Sequence, residues 1–441
     1  MYGLSWSLMI MQHPTEPGAS MPEESARCAS VRTHRIEWPS VGITRIPLRI
    51  YSDADAYAHE QDAVFRGPTW SFLCLEVEIP NAGDYITTKV GHTSVIVVRE
   101  EGGDIHALVN KCVHKGSVLC YEAQGRRKRA NFVCPYHNWV YNFEGELTSV
   151  AFEHGVQGKG GMPEDFDKSQ FRLIKLRVDT IKGLVFGSFS DKAPPLLDYL
   201  GPIMVRHIER TLYGKIKILG RYSQVMHNNW KLYVENSRDN YHPSLLHAFF
   251  STFKINRLSA EGGTLQDDDG RHHITFTKRY TDVGDQAYDS GIIRAMRDDF
   301  GLKDPSLIDQ WMEYPDQITN AIQSIFPGFV LHQIMNSLGT RQVVPLGIDK
   351  CELIWTVLGF EEDTPEQTLI RRKQSNLVGP AGYVSMEDGT IGAFVEKGIR
   401  GDPDDVAIIE MGGKTTGSMA TRATETSVRG FWKFYRELMG V

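Results

Sequence analysis

Three stretches of this sequence gather residue types that bind metals. "KCVHKG" (111–116) offers Cys112 and His114, and "CPYHNW" (134–139) offers Cys134 and His137. Farther along, "SRDNYHPSLLHAFF" (237–250) crowds Asp239, His242 and His247 around Pro243. Thiolates and imidazoles suit zinc or iron, and two imidazoles with a carboxylate suit a divalent ion that keeps open positions. With 15 histidines in 441 residues, roughly half a histidine pair at any one spacing arises by chance, so the third stretch alone decides nothing.

The two loops are more specific. A structural zinc finger usually segregates a cysteine pair from a histidine pair, whereas here each loop supplies one of each. That division suits a two-iron cluster, with Cys112 and Cys134 on one iron and His114 and His137 on the other. It is the Rieske [2Fe–2S] pattern, in which imidazoles raise the reduction potential; a zinc site is the alternative. Gly116 and Pro135 let the backbone fold closely around the ligands, and Cys120, off both patterns, reads as a core residue. A cluster that moves single electrons needs a consumer. On an unbroken helix His242 and His247 would point about 140° apart. Pro243 disfavours helix before it and favours a new start after it, so a break there is expected to bring both rings to one ion. Two histidines and a carboxylate form the facial triad of non-haem Fe(II) oxygenases, open to O2. Asp239, expected on the same helical side as His242, is either that carboxylate or a partner that orients His242.

The elements that must position these groups read as follows. Residues 1–35 are expected to be a poorly ordered leader, with Met11 and Met21 as alternative starts. "SDADAYAHEQDAVFRG" (52–67) reads as a helix capped by Ser52. Short β runs such as "SVIVVRE", "IHALVN" and "LVFGSFS" fill the next hundred or so residues, and "DKAPPLLDYLGP" (191–202) reads as a linker. Beyond it, "HITFTKRY" and "ELIWTVLGF" read as strands and "TETSVRGFWKFYRELM" (424–439) as a closing helix. Strands in consecutive runs favour antiparallel sheet, hence an α+β fold. The expected division is a helical part at 36–80 belonging to the later domain, a β domain at 81–190 and a catalytic domain at 191–441.

Composition excludes several classes. At 41% hydrophobic and 23% charged the chain is globular, and its net charge of −7 argues against nucleic-acid binding. The basic run "GRRKRA" (125–130) reads as a solvated loop. No stretch approaches the roughly 20 apolar residues of a membrane span, and six sparse cysteines fit a reducing, cytoplasmic compartment. "GKGGMP" (158–163) lacks the context of a phosphate loop, and no dinucleotide fingerprint appears.

From about residue 37 to the end, the chain resembles the large (α) subunits of Rieske non-haem iron ring-hydroxylating oxygenases, including the terephthalate and salicylate enzymes. The resemblance rests on "FRGPTWSFLCLEVEIPNAGDY", both cysteine–histidine loops, "NNWKLYVENSRDNYHPSLLH", "GPAGYVSMEDGTIGAFVEKG" and "TETSVRGFWKFYRELM". It implies an all-β Rieske domain set on a helix-grip, antiparallel-sheet catalytic domain. It implies that His242 and His247 hold iron, with Asp388 as third ligand and Glu387 as the nearby competitor. It makes Asp239 the bridge to a cluster histidine of an adjacent copy, His137 first and His114 second. It implies electrons from NADH or NADPH through a separate reductase, with or without a ferredoxin, and an α3 or α3β3 assembly with a small subunit. Arg341 matches an arginine that grips a substrate carboxylate; where a second such arginine is expected stands Lys397, with Arg400 nearby. Terephthalate, salicylate and substituted benzoates all fit as substrates. Lysines at 111 and 115 replace the usual arginines, keeping charge but losing bidentate bonding. A non-catalytic electron carrier or a zinc-stabilised interaction protein is the different-class alternative. Iron content separates them: three irons per chain for the oxygenase, two for the carrier, none for the zinc module.

Overall fold

Alternating or wholly apolar runs bounded by turn residues produce two seven-stranded sheets. The computed structural model describes residues 36–441 except 130, 280–287, 289–292, 298 and 381. The leader reading of 1–35 lies outside the described residues. The first sheet runs Ser71–Leu75, Leu184–Ser188, Lys175–Ile181, Ile105–Val109, Thr93–Arg99, Asp84–Val90, Gln124–Arg126, every neighbour antiparallel. A three-stranded sheet, Asn131–Val133, Val140–Asn142 and Leu147–Ser149, completes this β domain.

The boundary expected at residue 81 falls inside the first sheet. Ser71–Leu75 is buried throughout and pairs with Leu184–Ser188, so the segment 36–80 divides. Its earlier part packs with elements of the later domain: Arg45–Pro47 pairs with Val406–Ile408, and Ile50, Tyr57 and Phe65 share a core with Trp230 and Phe431. The helix there spans Ala54–Glu60 and is capped by Asp53, whose Oδ1 accepts from the Ala56 N–H at 2.8 Å. Ser52 instead turns its hydroxyl back toward the Arg49 carbonyl. Part of the basic run is edge strand: Arg126 pairs with Asp84, and Arg127 lies over the Tyr85 ring.

The linker reading of 191–202 also needs correction. A helix occupies Leu196–Thr211, kinked at Gly201, and Leu196, Tyr199 and Leu200 are completely buried. Pro194 and Pro195 mark only its entry, Pro202 sits inside it beside the kink, and the apolar spacing is core-facing.

The later part of the chain is built on a second antiparallel sheet, ordered Ile216–Met226, Lys350–Phe360, Ser337–Gly347, Phe329–Ile334, Ile318–Ile325, His273–Lys278, Gly262–Gln266. Long helices at Pro365–Val378, Tyr383–Gly401 and Thr426–Met439 accompany it. The closing helix is tied to the first helix and to the helix Trp230–Asn236 through a buried ion pair. Lys231 Nζ and Tyr435 Oη each donate to Glu60 Oε1 at 2.6 Å, and Trp230 Nε1 donates to Oε2 at 2.7 Å. Both charged side chains are fully buried, so each depends on the other to offset its lost hydration.

Candidate metal centres and substrate cavity

Each cysteine–histidine loop begins where a strand of the β domain ends. Cys112 follows Ile105–Val109 and Cys134 follows Asn131–Val133. Both loops curl so that a later amide returns to the cysteine carbonyl: Gly116 N–H to Cys112 at 2.9 Å and Asn138 N–H to Cys134 at 3.0 Å. The turns need left-handed backbone, φ 75° at Gly116 and φ 54° at Asn138, and glycine and asparagine are the residues that tolerate it best. The thiols point inward, at 1% and 2% exposure, while His114 is exposed and His137 half-buried with their rings 4.7 Å apart. His114 stacks on Trp139 at 4.8 Å. Desolvation, then His137 and Lys115, hold His114 below its usual pKa, in the neutral form a metal requires. His137 Nδ1 is buried without a hydrogen-bond partner. Two inward thiols, two outward imidazoles and an orphaned ring nitrogen fit a cluster with one buried and one surface-facing iron. Cys120 packs in the same core beside Arg127, away from that donor set.

His242, His247 and Asp388 offer ligand atoms all within 4.8 Å of one another. Asp388 Oδ1 stands 3.4 Å from Nε2 of each histidine. The convergence arises differently from the sequence expectation. His242 keeps helical backbone (φ −68°, ψ −34°) before the turn Pro243–Leu246, and the break falls at His247, which is extended (φ −81°, ψ 102°) before the next turn Ala248–Thr252. Asp239 is not on a helix either. Its Oδ1 accepts the N–H groups of Tyr241 at 2.8 Å and His242 at 3.2 Å, and Oδ2 lies 3.5 Å from His242 Nδ1.

Glu387 sits behind the site and does not compete for it. Its Oε2 accepts from His247 Nδ1 at 2.8 Å, which leaves Nε2 facing Asp388. Asn236, which no sequence pattern marked, donates to Asp388 Oδ1 at 3.1 Å. Burial opposes charge on His242, but Asp239 and Asp388 outweigh it and lift its pKa to about 10. Burial likewise pushes Asp388 up, and His247, His242 and Asn236 more than reverse this, to about 2. Negative charge is thus concentrated around a pocket of imidazoles, the electrostatics that a divalent cation requires.

The side chains of His242, His247 and Asp388 line a cavity between the helical turns and the second sheet. Arg341 lies on the strand Ser337–Gly347, opposite Val330 and Trp355 in the ladder. It is 5% exposed, its guanidinium 4.2 Å from the centre of the Trp355 ring, with Nη1 donating to Tyr233 Oη at 3.2 Å. Lys397 is not part of the cavity: it lies exposed on the helix Tyr383–Gly401. Arg400 is taken up by Asp349 and Glu396. The second cation of the cavity is Arg422, 2% exposed, which donates to Asn256 Oδ1 and the Arg257 carbonyl. Burial lowers its pKa to about 10. Neither Arg341 nor Arg422 has a carboxylate partner among the described residues, and each leaves a buried Nε unpaired. Arg422 comes from an irregular segment with no periodicity, so nothing local in the sequence pointed to it.

Residues 69–158 match the family described as Rieske [2Fe-2S] domain, and residues 215–441 match the ring hydroxylating alpha subunit (catalytic domain). The chain is 49% identical over 405 residues to the alpha 2 subunit of the terminal oxygenase component of terephthalate 1,2-dioxygenase from Comamonas sp., covering 92% of this chain and 98% of that one. This chain belongs to the ring-hydroxylating oxygenase alpha subunits. The large subunit of anthranilate 1,2-dioxygenase from Burkholderia cepacia is 43% identical, covering 92% of this chain and 96% of that protein. The large oxygenase component of salicylate 5-hydroxylase from Ralstonia sp. is 38% identical, with the same two coverages. Naphthalene 1,2-dioxygenase with bound indole shares the fold at a TM-score of 0.72 and 24% identity, over 90% of this chain and 92% of that one. The oxygenase subunit accordingly uses a Rieske cluster and a mononuclear iron. No helix among the described residues is long and apolar enough to cross a membrane.

Proposed function

We propose that this chain is the terminal oxygenase subunit for an aromatic dicarboxylate of the terephthalate type. The carrying observation is the pair of buried guanidiniums, Arg341 and Arg422, in the cavity that also holds the His242–His247–Asp388 triad. A buried cation without an acid partner is costly, and a carboxylate that takes two parallel N–H bonds offsets that cost. Two such cations in one cavity favour a substrate with two carboxylates. The terephthalate name of the relative at 49% identity supports the same reading.

In this proposal Cys112, Cys134, His114 and His137 hold the cluster and His242, His247 and Asp388 hold the iron. When bound, these groups supply single electrons and O2 activation. Glu387 fixes the His247 tautomer, Asn236 holds Asp388 in place, and Phe250 and Ile334 form apolar cavity wall. Asp239 bridges His242 to a cluster histidine, His137 first, of a second copy. An open cleft on the outer side of Asp239, lined by Tyr241, Leu245, Ile409 and Glu425, supports that contact. The assembly is a homotrimer, alone or with a small subunit. The chain works in the cytoplasm, where a separate reductase, with or without a ferredoxin, delivers electrons from NADH or NADPH.

Steady-state kinetics of Arg341→Leu and Arg422→Leu on terephthalate, benzoate and salicylate test the substrate. Truncating one partner of a buried charge pair costs about 2–5 kcal/mol. Each variant should therefore lose roughly a hundredfold in kcat/KM on terephthalate, and one of them should leave benzoate nearly untouched. Equal losses on all three acids with Arg422→Leu would assign Arg422 to structure and favour an aromatic monocarboxylate.

A further inference from the structure

The strand neighbours of Arg341 form a layered support behind it. The strand Ser337–Gly347 lies between Phe329–Ile334 and Lys350–Phe360, with Gly339 opposite His332 and Arg341 opposite Trp355. A Cβ at Gly339 would lie 2.6 Å from His332 Cε1 and 2.8 Å from the Thr356 carbonyl oxygen, so only glycine leaves the imidazole that space. Over the gap the His332 ring meets the Trp355 ring at 66°, with centroids 5.5 Å apart. Burial, then Arg341, push the His332 pKa well down, so it adds no second cation beside the first. Trp355 is buried and its Nε1 has no hydrogen-bond partner among the described residues, so ring contacts fix its orientation. Its ring centre lies 4.2 Å from the guanidinium carbon of Arg341, whose one hydrogen-bond partner among the described residues is Tyr233 Oη.

We infer that Trp355 is a positioning residue for substrate recognition: its ring face holds the Arg341 guanidinium and leaves that cation's charge to a substrate carboxylate. A buried guanidinium can be held in two ways. An acid partner satisfies it but cancels its charge and occupies its donors. An aromatic face attracts the cation through the ring quadrupole, offsets part of its lost hydration, and leaves the in-plane N–H groups free. Arg341 has the second kind of support. Trp355 does not line the cavity and acts only through Arg341. The inference rests on the proposal that Arg341 receives a carboxylate.

The test is calorimetric titration of the resting oxygenase with terephthalate, read beside steady-state KM and kcat. Fluorinated tryptophans placed at position 355 nearly keep the ring's shape, while each added fluorine drains negative charge from its face. The dissociation constant should climb stepwise, to roughly tenfold at three fluorines. KM should follow it and kcat stay nearly constant, the pattern of lost ground-state binding. Trp355→Leu removes the face altogether and should weaken binding at least as much. In an Arg341→Leu background the fluorine trend should vanish, because the cation it acts on is gone. A purely structural tryptophan would give no graded trend that depends on Arg341. Binding within about twofold of wild type at three fluorines overturns the inference, whether or not Trp355→Leu folds, and so does a trend that persists without Arg341. If Arg341→Leu alone leaves terephthalate binding unchanged, the carboxylate assignment fails and takes the inference with it. Weakened binding in Arg341→Leu beside a flat fluorine series defeats the inference alone.

Discussion

His247 is held from behind by Glu387 at 2.8 Å, and that contact is separable from ligation itself. Partners of this kind change metal affinity by about 10–100-fold. Glu387→Gln should weaken iron retention by that range against a chelator while cluster absorbance stays unchanged. His242→Ala should go further, emptying the mononuclear site and sparing the cluster, as metal analysis and the spin signal would report. A joint loss of both centres would contradict two independent sites. Asp239 carries a different load. It holds two backbone N–H groups as well as facing His242, so Asp239→Asn preserves the turn but removes the charge. Full metal content with turnover lowered by at least a hundredfold is the expected outcome, and wild-type turnover would take Asp239 out of the electron path.

At the scale of elements, the helical turns that carry the triad depend on a break whose position is now clear. Because the break lies at His247, Pro243 only starts a short turn. Pro243→Ala should therefore change stability by no more than about 1 kcal/mol and leave iron occupancy intact. Iron loss in that variant would return the break to the proline. The buried Glu60–Lys231 pair is the opposite case. It joins the first helix, the helix Trp230–Asn236 that precedes the triad, and the closing helix. Glu60→Gln leaves the Lys231 cation unpaired at full burial, which costs about 3–5 kcal/mol. A clear fall in thermal midpoint is expected, and an unchanged midpoint would mean that water or a rearranged partner replaces the carboxylate.

For the whole molecule, among the described residues no hydrogen bond or ion pair links the cysteine–histidine loops to the triad or to Asp239. The proposed route for electrons runs between copies, and complementation tests it. A His137→Ala copy keeps the iron site but lacks a working cluster, whereas a His242→Ala copy keeps the cluster but lacks the iron. Each alone should be inactive, and coexpression should recover a fraction of wild-type turnover in mixed assemblies. No recovery in verified mixed assemblies would confine electron transfer to one chain.

The cysteine and histidine spacings, the antiparallel β content and the closing helix were legible in the primary structure, because side-chain type and hydrophobic period are local properties. The same holds for the two-plus-two division of thiols and imidazoles between loops. Other features depended on elements far apart in the chain. Residues 71–75 look like a tail of the preceding helix until their partner strand at 184–188 is seen. Asp388 and Glu387 are neighbours in sequence, yet helix geometry turns one to both imidazole Nε2 atoms and the other to the back of His247. Arg422 displaced Lys397 as the second cavity cation because burial and cavity walls are set by packing, which local spacing does not encode.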